Sequence, residues 1–423
     1  MLAKSALPLR IVMIAPFGIR PKGTLLARML PLAQALARRG HELAIVAPPV
    51  QNPEDAGLRA VYDGVPVSHT RLPRLPGPAA VAEQSLSLLR LALAERPDLL
   101  HIFKPKGYGG LAALAARALR PRLPLVVDTD DWEGWGGWND LLPYPASAKA
   151  LFAWQERDLP RRADAVTVVS RTLESLAWSF GVPPGRVFFL PNGTGVGPQE
   201  SGVRSPTPEE RDHLAASNLR QPQESGVRSP TPEARLLTPT MLLYTRFWEI
   251  DLPELVAALV AIHQARPDAR LVVVGRGEGG EERQLLALAG RAGIGAMIDY
   301  RGWLQPAQIP SVLAEADIAL SPLQDTLINR ARGLAKLLEL MGAGLPIVAS
   351  DVGQAGEYLE HGRSGLLCPP GDPAALAAAT LRLLNDDALR ARIAAGARAA
   401  AARFSWDSLA DIAEAAYHAA MRR

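Results

Sequence analysis

Lys336 and Glu339 stand three residues apart in the segment Lys-Leu-Leu-Glu-Leu-Met-Gly-Ala-Gly, whose apolar pattern predicts a helix. Residues at that spacing share one helical face. A cation at a helix N-terminus suits a diphosphate, and a carboxylate one turn further on accepts both hydroxyls of a ribose. Arg246, at the end of an expected strand over 241–244, supplies a second cation for the same anion. The plain alternative is a surface Lys–Glu pair, worth about 0.3 kcal/mol.

A second group follows an expected strand over 125–127, where the chain reads Asp128-Thr-Asp130-Asp131. Clustered carboxylates after a strand bind Mg²⁺ or act as base or nucleophile, and Asp130 is the expected catalytic member. The spacing also resembles the opening of haloacid dehalogenase phosphatases, so a phosphatase-like or epimerase chemistry on Asp128 and Asp130 is one competing reading, and a non-catalytic binding module without turnover is the other. Directly after it come Trp132, Trp135 and Trp138, three of the eight tryptophans within seven residues. Interleaved with glycine, they suit either a stacking platform for a sugar or lipid headgroup, or core packing. Asp131, Trp132 and Trp135 are expected on the acceptor side, together with Lys104, which with Lys106 lies just past a strand over 99–103 and is placed to meet an anionic acceptor.

Two glycine loops are expected to approach a donor. Gly18 and Gly23 bracket the turn after the first strand, with Thr24 opening a helix whose free amides suit an anion. Gly275, Arg276 and Gly277 belong to a G-x-G-x-x-G match after a strand over 271–274, with Asp299 a loosely placed ribose contact. Because a strand and a helix precede it, this loop opens no domain, which argues against nicotinamide binding. His41 and His101 are expected to be structural, and Cys368 a small packed side chain.

These residues need a scaffold, and the hydrophobic pattern supplies it. Short apolar runs alternate with amphipathic segments: strands are expected over 10–15, 43–46, 99–103, 125–128, 165–169 and 187–190, and again over 241–244, 271–274, 297–300, 318–320 and 347–349. Helices are expected over 24–39, ending at Gly40, and over 406–421. Two doubly wound α/β units with parallel sheets are the economical architecture. The 423 residues divide into a first unit over 1–197, a linker over 198–234, a second unit over 235–403, and a terminal helix over 404–423 that by length can return to either unit. The linker carries Pro-Gln-Glu-Ser-Gly-Val-Arg-Ser-Pro-Thr-Pro-Glu twice, at 198–209 and 222–233. Poor in large apolar residues, it is expected to be disordered.

The motifs together resemble glycosyltransferase family 4. They are Gly40-His-Glu-Leu, Tyr244-Thr-Arg246, Val274-Gly-Arg-Gly, the run from Lys336 to Asp351, then 365–373 and Phe404-Ser-Trp406. The likeness covers nearly the whole chain apart from the linker and is densest over 241–373. It implies a GT-B fold of two Rossmann-like domains facing a cleft, with a nucleotide-sugar donor held mainly by the second. On that pattern Arg246 and Lys336 neutralise the departing diphosphate and Glu339 holds the ribose, without a metal or other cofactor. A hexosyl unit passes to a glycan, lipid-linked or small-molecule acceptor, with retention of anomeric configuration. Two positions depart. Ala331 stands where a further glutamate is common, and the lysine that often follows the phosphate arginine is absent.

Bulk properties set limits. Lys plus Arg number 46 against 43 Asp plus Glu, so net charge gives no support for nucleic-acid binding. The single cysteine fits a reducing compartment. No apolar run reaches the roughly 18 residues of a membrane span, and residues 11–17 read as a strand rather than a signal peptide. The cytoplasm is the expected address, with peripheral contact at the inner membrane face compatible with the sequence.

Overall fold

The computed structural model describes residues 8–19, 23–50, 52–194 and 238–422. The duplicated linker lies outside the described residues. In the first unit the strands are β1 (Arg10–Ile14), β2 (Glu42–Ala47), β3 (Arg59–Tyr62), β4 (Val65–His69), β5 (Leu99–Phe103), β6 (Leu125–Thr129), β7 (Ala165–Val168) and β8 (Val187–Phe189). They form one sheet in the order β3-β4-β2-β1-β5-β6-β7-β8, in which β3 runs antiparallel to β4 and the other pairs are parallel. Successive side chains point to opposite faces. Ile11 and Met13 therefore join one core while Val12 and Ile14 join the other, and β1 reads as a continuous apolar run because both faces are covered. Helices Leu30–Arg38 and Trp406–Met421 close the first face, Gly77–Ala94 and Gly107–Leu119 the second.

The second unit holds β9 (Thr240–Tyr244), β10 (Arg270–Val274), β11 (Ile298–Gly302), β12 (Ile318–Ser321), β13 (Ile347–Ser350) and β14 (Leu366–Cys368). Their order is β11-β10-β9-β12-β13-β14, and every pair is parallel. The architecture is thus two parallel-sheet α/β units, as the alternating pattern predicts.

The structure adds elements that the pattern does not give. The β3–β4 hairpin turns at Asp63 and Gly64, both with positive φ, and β14 is only three residues long. The helix expected over 24–39 opens with a π turn over Leu25–Met29 before the α-helix begins. The terminal helix packs on the first unit, burying Trp406, Leu409, Ala413 and Tyr417 in its core. The Thr194 amide donates to the Phe404 carbonyl at 2.6 Å just before that helix starts.

Candidate active site between the two sheets

In parallel sheets, loops that follow the strands gather at one edge, where ligands bind. After β6 of the first unit, Asp128 is wholly buried and holds Arg28 through two hydrogen bonds of 2.8 and 2.7 Å. It also accepts the Thr167 hydroxyl at 2.5 Å. With both oxygens engaged and no exposure it is not placed to act as a nucleophile, which counts against the phosphatase-like or epimerase reading on Asp128 and Asp130. Asp130 is 9% exposed, accepts the Thr24 hydroxyl at 3.0 Å and lies 3.0 Å from the Lys104 ammonium. Burial pushes its carboxyl above the usual carboxylate range against the pull of Lys104. Burial acts in the same direction on Asp131. There Lys104 and, from the second unit, Arg246 and Arg332 outweigh it and hold the group below that range.

Lys104 itself is not set to meet an acceptor, which corrects the sequence expectation. It is buried, and its ammonium pairs with Asp130, Asp131 and Glu133, so it stays charged despite desolvation. Its backbone sits at φ +52, an uncommon region for a side-chain-bearing residue, held by its amide donating to the Asp128 carbonyl at 3.0 Å. Lys106 continues the network to Glu133 at 2.7 Å and Asn139 at 3.0 Å.

The tryptophan cluster divides. Trp132 is buried, stacked on Phe180 at 5.7 Å, with its indole N–H on the Trp135 carbonyl at 2.9 Å. It is a core residue, the packing alternative of the two, and not the acceptor-side residue expected. Trp135 is 57% exposed and keeps an open face. Trp138 meets Trp248 of the second unit edge-on at 4.2 Å, so it joins the units.

In the second unit, Arg246 follows β9 and is exposed. It precedes Phe247, whose φ of +69 is stabilised by its amide donating to the Thr245 hydroxyl at 2.8 Å. This sharp turn directs the chain back to Glu249, which accepts from the Thr245 hydroxyl at 3.0 Å, the Arg246 amide at 3.2 Å and the Arg332 guanidinium at 2.5 Å. Burial would raise Glu249; Arg332 and Lys336 bring it down to about 2. The helix Ala335–Ala343 carries Lys336 in its first turn and Glu339 one turn on. The Lys336 ammonium lies 4.5 Å from the centre of the Tyr244 ring. Burial, helped by Arg246 and Arg332 and opposed by Glu249, takes it down to about 7. Arg332 stacks on Trp248 at 4.9 Å. Arg246, Arg332 and Lys336 thus lie near the end of β9, with the Glu249 carboxylate paired to Arg332 among them.

Ala331 is fully buried against the first unit, where its carbonyl accepts the Ser170 hydroxyl at 2.6 Å. Beside it the Gly333 amide donates to the Asp130 carbonyl at 3.3 Å. The segment 331–333 is therefore part of the junction between the units, and Arg332, which no sequence spacing marked, is the charge it carries. Glu249 and Arg332 were not legible because they pair across 83 residues of the second unit, and the Trp138–Trp248 pair because it forms only between the units.

The glycine loops are shaped by backbone approach. A side chain on Gly18 would meet Asn52 at 1.9 Å, and Gly23 accepts the Ala27 amide at 2.9 Å to start the π turn. Gly275 has φ +138, and a Cβ there would lie 1.8 Å from the Thr245 carbonyl oxygen. Gly275→Ala must displace the strand end that presents Arg246, and is expected to cost at least ~2 kcal/mol, read as a lowered urea midpoint. The Gly277 and Gly279 amides are bonded to Glu282 at 3.1 Å and Glu281 at 2.7 Å. Arg276, between Gly275 and Gly277, is exposed. Asp299 pairs with Arg301 at 3.0 Å and lies in β11. His101 bonds Tyr417 at 2.9 Å, and burial lowers it to about 4, a neutral structural imidazole. His41 accepts the Leu9 amide at 3.2 Å, and Cys368 is buried. Among the described residues no group of three or more His, Cys, Asp or Glu is arranged to hold a metal ion.

Two parallel-sheet α/β units joined through their strand-end loops define a GT-B architecture. The family model described as Glycosyl transferase 4-like domain matches residues 23–193, and that described as Glycosyl transferases group 1 matches 238–386. The chain belongs to the group 1 glycosyltransferases. Over 156 residues it is 35% identical to a phosphatidyl-myo-inositol mannosyltransferase of Mycobacterium leprae, a stretch covering 37% of this chain and 39% of that protein. Over 152 residues it is 34% identical to a D-inositol 3-phosphate glycosyltransferase of Xylanimonas cellulosilytica, covering 36% and 35%. The match thus spans well under half the length of these curated relatives. Among solved structures, sucrose-phosphate synthase from Thermosynechococcus elongatus superposes with a TM-score of 0.68 at 20% identity, covering 97% of this chain and 98% of that one. Anabaena HepE in complex with UDP and glucose gives 0.66 at 19%, covering 96% and 98%.

Proposed function

We propose that the protein transfers a hexosyl unit from a nucleotide diphosphate sugar to a glycan, lipid-linked or small-molecule acceptor, with retention of anomeric configuration. The observation that carries this reading is the junction where the Gly333 amide, next to Arg332, donates to the Asp130 carbonyl at 3.3 Å, and where Arg246 and Arg332 help hold Asp131 below the usual carboxylate range. In the proposal the diphosphate lies among the cations, which stabilise charge growing on the leaving oxygen. Glu339 takes the ribose hydroxyls. Asp131, the partly exposed member of the acid loop, faces the acceptor, while Asp130 behind it fixes Lys104. The sugar passes through an oxocarbenium-like state, and protein cations do the work that a metal does elsewhere. The relative solved with UDP and glucose, and those named for mannosyl and other glycosyl transfer, support the donor class. The cytoplasm is the proposed address; among the described residues no helix is long and apolar enough to cross a membrane.

A melting-temperature screen against UDP-, GDP- and ADP-sugars tests the reading. One donor at 100 times its Kd is expected to stabilise by about 2.7 kcal/mol, and to yield, in EDTA, a product with the donor's anomeric configuration. If no nucleotide sugar either stabilises the protein or is consumed, the proposal fails.

A further inference from the structure

Between β13 and β14 the chain runs through Asp351-Val-Gly-Gln-Ala-Gly-Glu-Tyr358. Gly353 has φ +53, and a Cβ there would lie 2.8 Å from the Arg330 backbone, so the turn passes tightly against the segment that carries Arg332. It opens the short helix Gln354–Tyr358, whose first side chain is a polar amide and yet 0% exposed. That amide is engaged in both units. Its Nε2 donates to the Val169 carbonyl of the first unit, while its Oε1 accepts the Leu334 amide at 2.9 Å and the Tyr358 hydroxyl at 2.8 Å in the second. The reverse orientation would set carbonyl against carbonyl and N–H against N–H, so the partners fix which end points where. Three residues on, the Glu357 carboxylate accepts the Arg171 amide at 3.2 Å, a second crossing between the units.

The bonds of Gln354 close a ring. The Val169 amide donates to the Thr129 carbonyl at 3.0 Å; Thr129 precedes Asp130, whose carbonyl accepts the Gly333 amide at 3.3 Å; and Gly333 precedes Leu334, which returns to Gln354. Every link is a group of the chain itself. On one side Asp130 and Asp131 leave the ring, and on the other Arg332 and Lys336 flank the Gly333–Leu334 pair. We infer that Gln354 is a positioning residue, the side chain that sets the cations of the second unit against the acid loop of the first. It touches no reacting group and acts through Val169 and Leu334. A rotation of one unit against the other strands a buried amide and the carbonyl it serves, which is why the ring resists it. The Ser170 hydroxyl on the Ala331 carbonyl, at 2.6 Å, braces the same seam from the first unit. The inference rests on the transferase reading for its consequence in turnover and not for the seam itself.

Gly333→Ala tests the seam in the full chain without deleting a hydrogen-bonding group. The Gly333 backbone lies outside the left-handed region, and a Cβ there would stand 2.3 Å from the Asn192 Nδ2 and 2.7 Å from a Val169 methyl, so alanine wedges the units apart. It is expected to lower kcat about 10²-fold, the scale of a misplacement near 1 Å. Calorimetry should still find wild-type affinity for UDP, because Arg246, Lys336 and Glu339 all belong to the second unit. Gln354→Met should lose a similar factor in kcat, and the double variant little more, since both changes open one ring. Two physical readouts accompany turnover: a larger radius of gyration in small-angle scattering, and loss of the near-ultraviolet circular dichroism that Trp138 and Trp248 share at 4.2 Å across the units. A merely structural Gln354 would lower the melting temperature and leave kcat per folded molecule unchanged, and that result would overturn the inference. So would Gly333→Ala protein with wild-type kcat and radius, or a fall in UDP affinity in step with kcat, which would confine the effect to the helix carrying Lys336. Wild-type protein that neither binds UDP nor turns over any UDP-, GDP- or ADP-sugar strikes the transferase reading instead, and scattering with the tryptophan signal then decides the role of Gln354 in the seam.

Discussion

Lys336→Met is expected to lower kcat/KM for transfer by about 10² to 10³, with most of the loss in kcat, because the ammonium opposes charge that grows only as the diphosphate departs. Arg246→Ala should lose a similar factor. The two are not expected to add, since both act on one leaving group with Arg332 beside them. The environment of Lys336 adds a second signature. Held near pH 7 in the free protein by burial and by Arg246 and Arg332, it is largely neutral at pH 9. A diphosphate binds the charged form and raises its pKa, so binding takes up a proton, and affinity for UDP falls as pH rises above 7. The slope approaches about tenfold per pH unit, equivalent to ~1.4 kcal/mol. Calorimetry between pH 6.5 and 9 reads both the weakening and the proton uptake. Lys336→Met should bind weakly and lose the slope. A Lys336→Met enzyme with wild-type kcat would remove the residue from the reaction.

What made this half of the site legible is local. Lys336 and Glu339 lie on one helix, Arg246 ends a strand, and each position follows from periodicity alone. The parallel sheets were legible for the same reason, since strands covered on both faces leave continuous apolar runs. The β3–β4 hairpin carried its own signal in Asp63-Gly64, yet β3 is mostly exposed and offers no apolar run to accompany it. Across the cleft the reading was less complete. Three tryptophans at similar spacing have three fates, core, surface and unit junction, because burial depends on which distant helix faces each one. Lys104 looked like an exposed cation, but two buried carboxylates and a partly exposed one converge on it from another loop. Arg332 sits next to Ala331, and nothing local marks it, because its partner Glu249 lies 83 residues away and Asp131, on which it acts, belongs to the other unit.

Arg28 shows most sharply how contacts distant in sequence decide the site, and Arg28→Ala is expected to destabilise the protein by about 3–5 kcal/mol. Its guanidinium is 1% exposed and makes five hydrogen bonds. Two go to Asp128, one to the Leu190 carbonyl at 2.8 Å, one to the Pro191 carbonyl at 3.2 Å and one to the Asn192 side chain at 3.1 Å. Five donors in a planar fork match that set, whereas a lysine cannot, so Arg28→Lys should lose much of the same stability. Truncation leaves Asp128 charged and unpaired in the core and orphans the carbonyls after β8 as well. Arg28→Met combined with Asp128→Leu removes both charges, and should cost less than the sum of the single changes, a coupling that a double-mutant cycle in urea measures directly. The damage should also reach activity. Asp128 anchors the start of the acid loop, and Asn192 packs where Gly333 leaves room for it, 2.3 Å from where a side chain there would begin. Arg28→Ala protein that remains folded at low temperature should therefore keep UDP affinity, set by the second unit, yet lose turnover as Asp130 and Asp131 shift against the cations. A loss of stability below about 1 kcal/mol would mean that the buried pair is replaced by water at little cost, and that the loop owes its position to Lys104 instead.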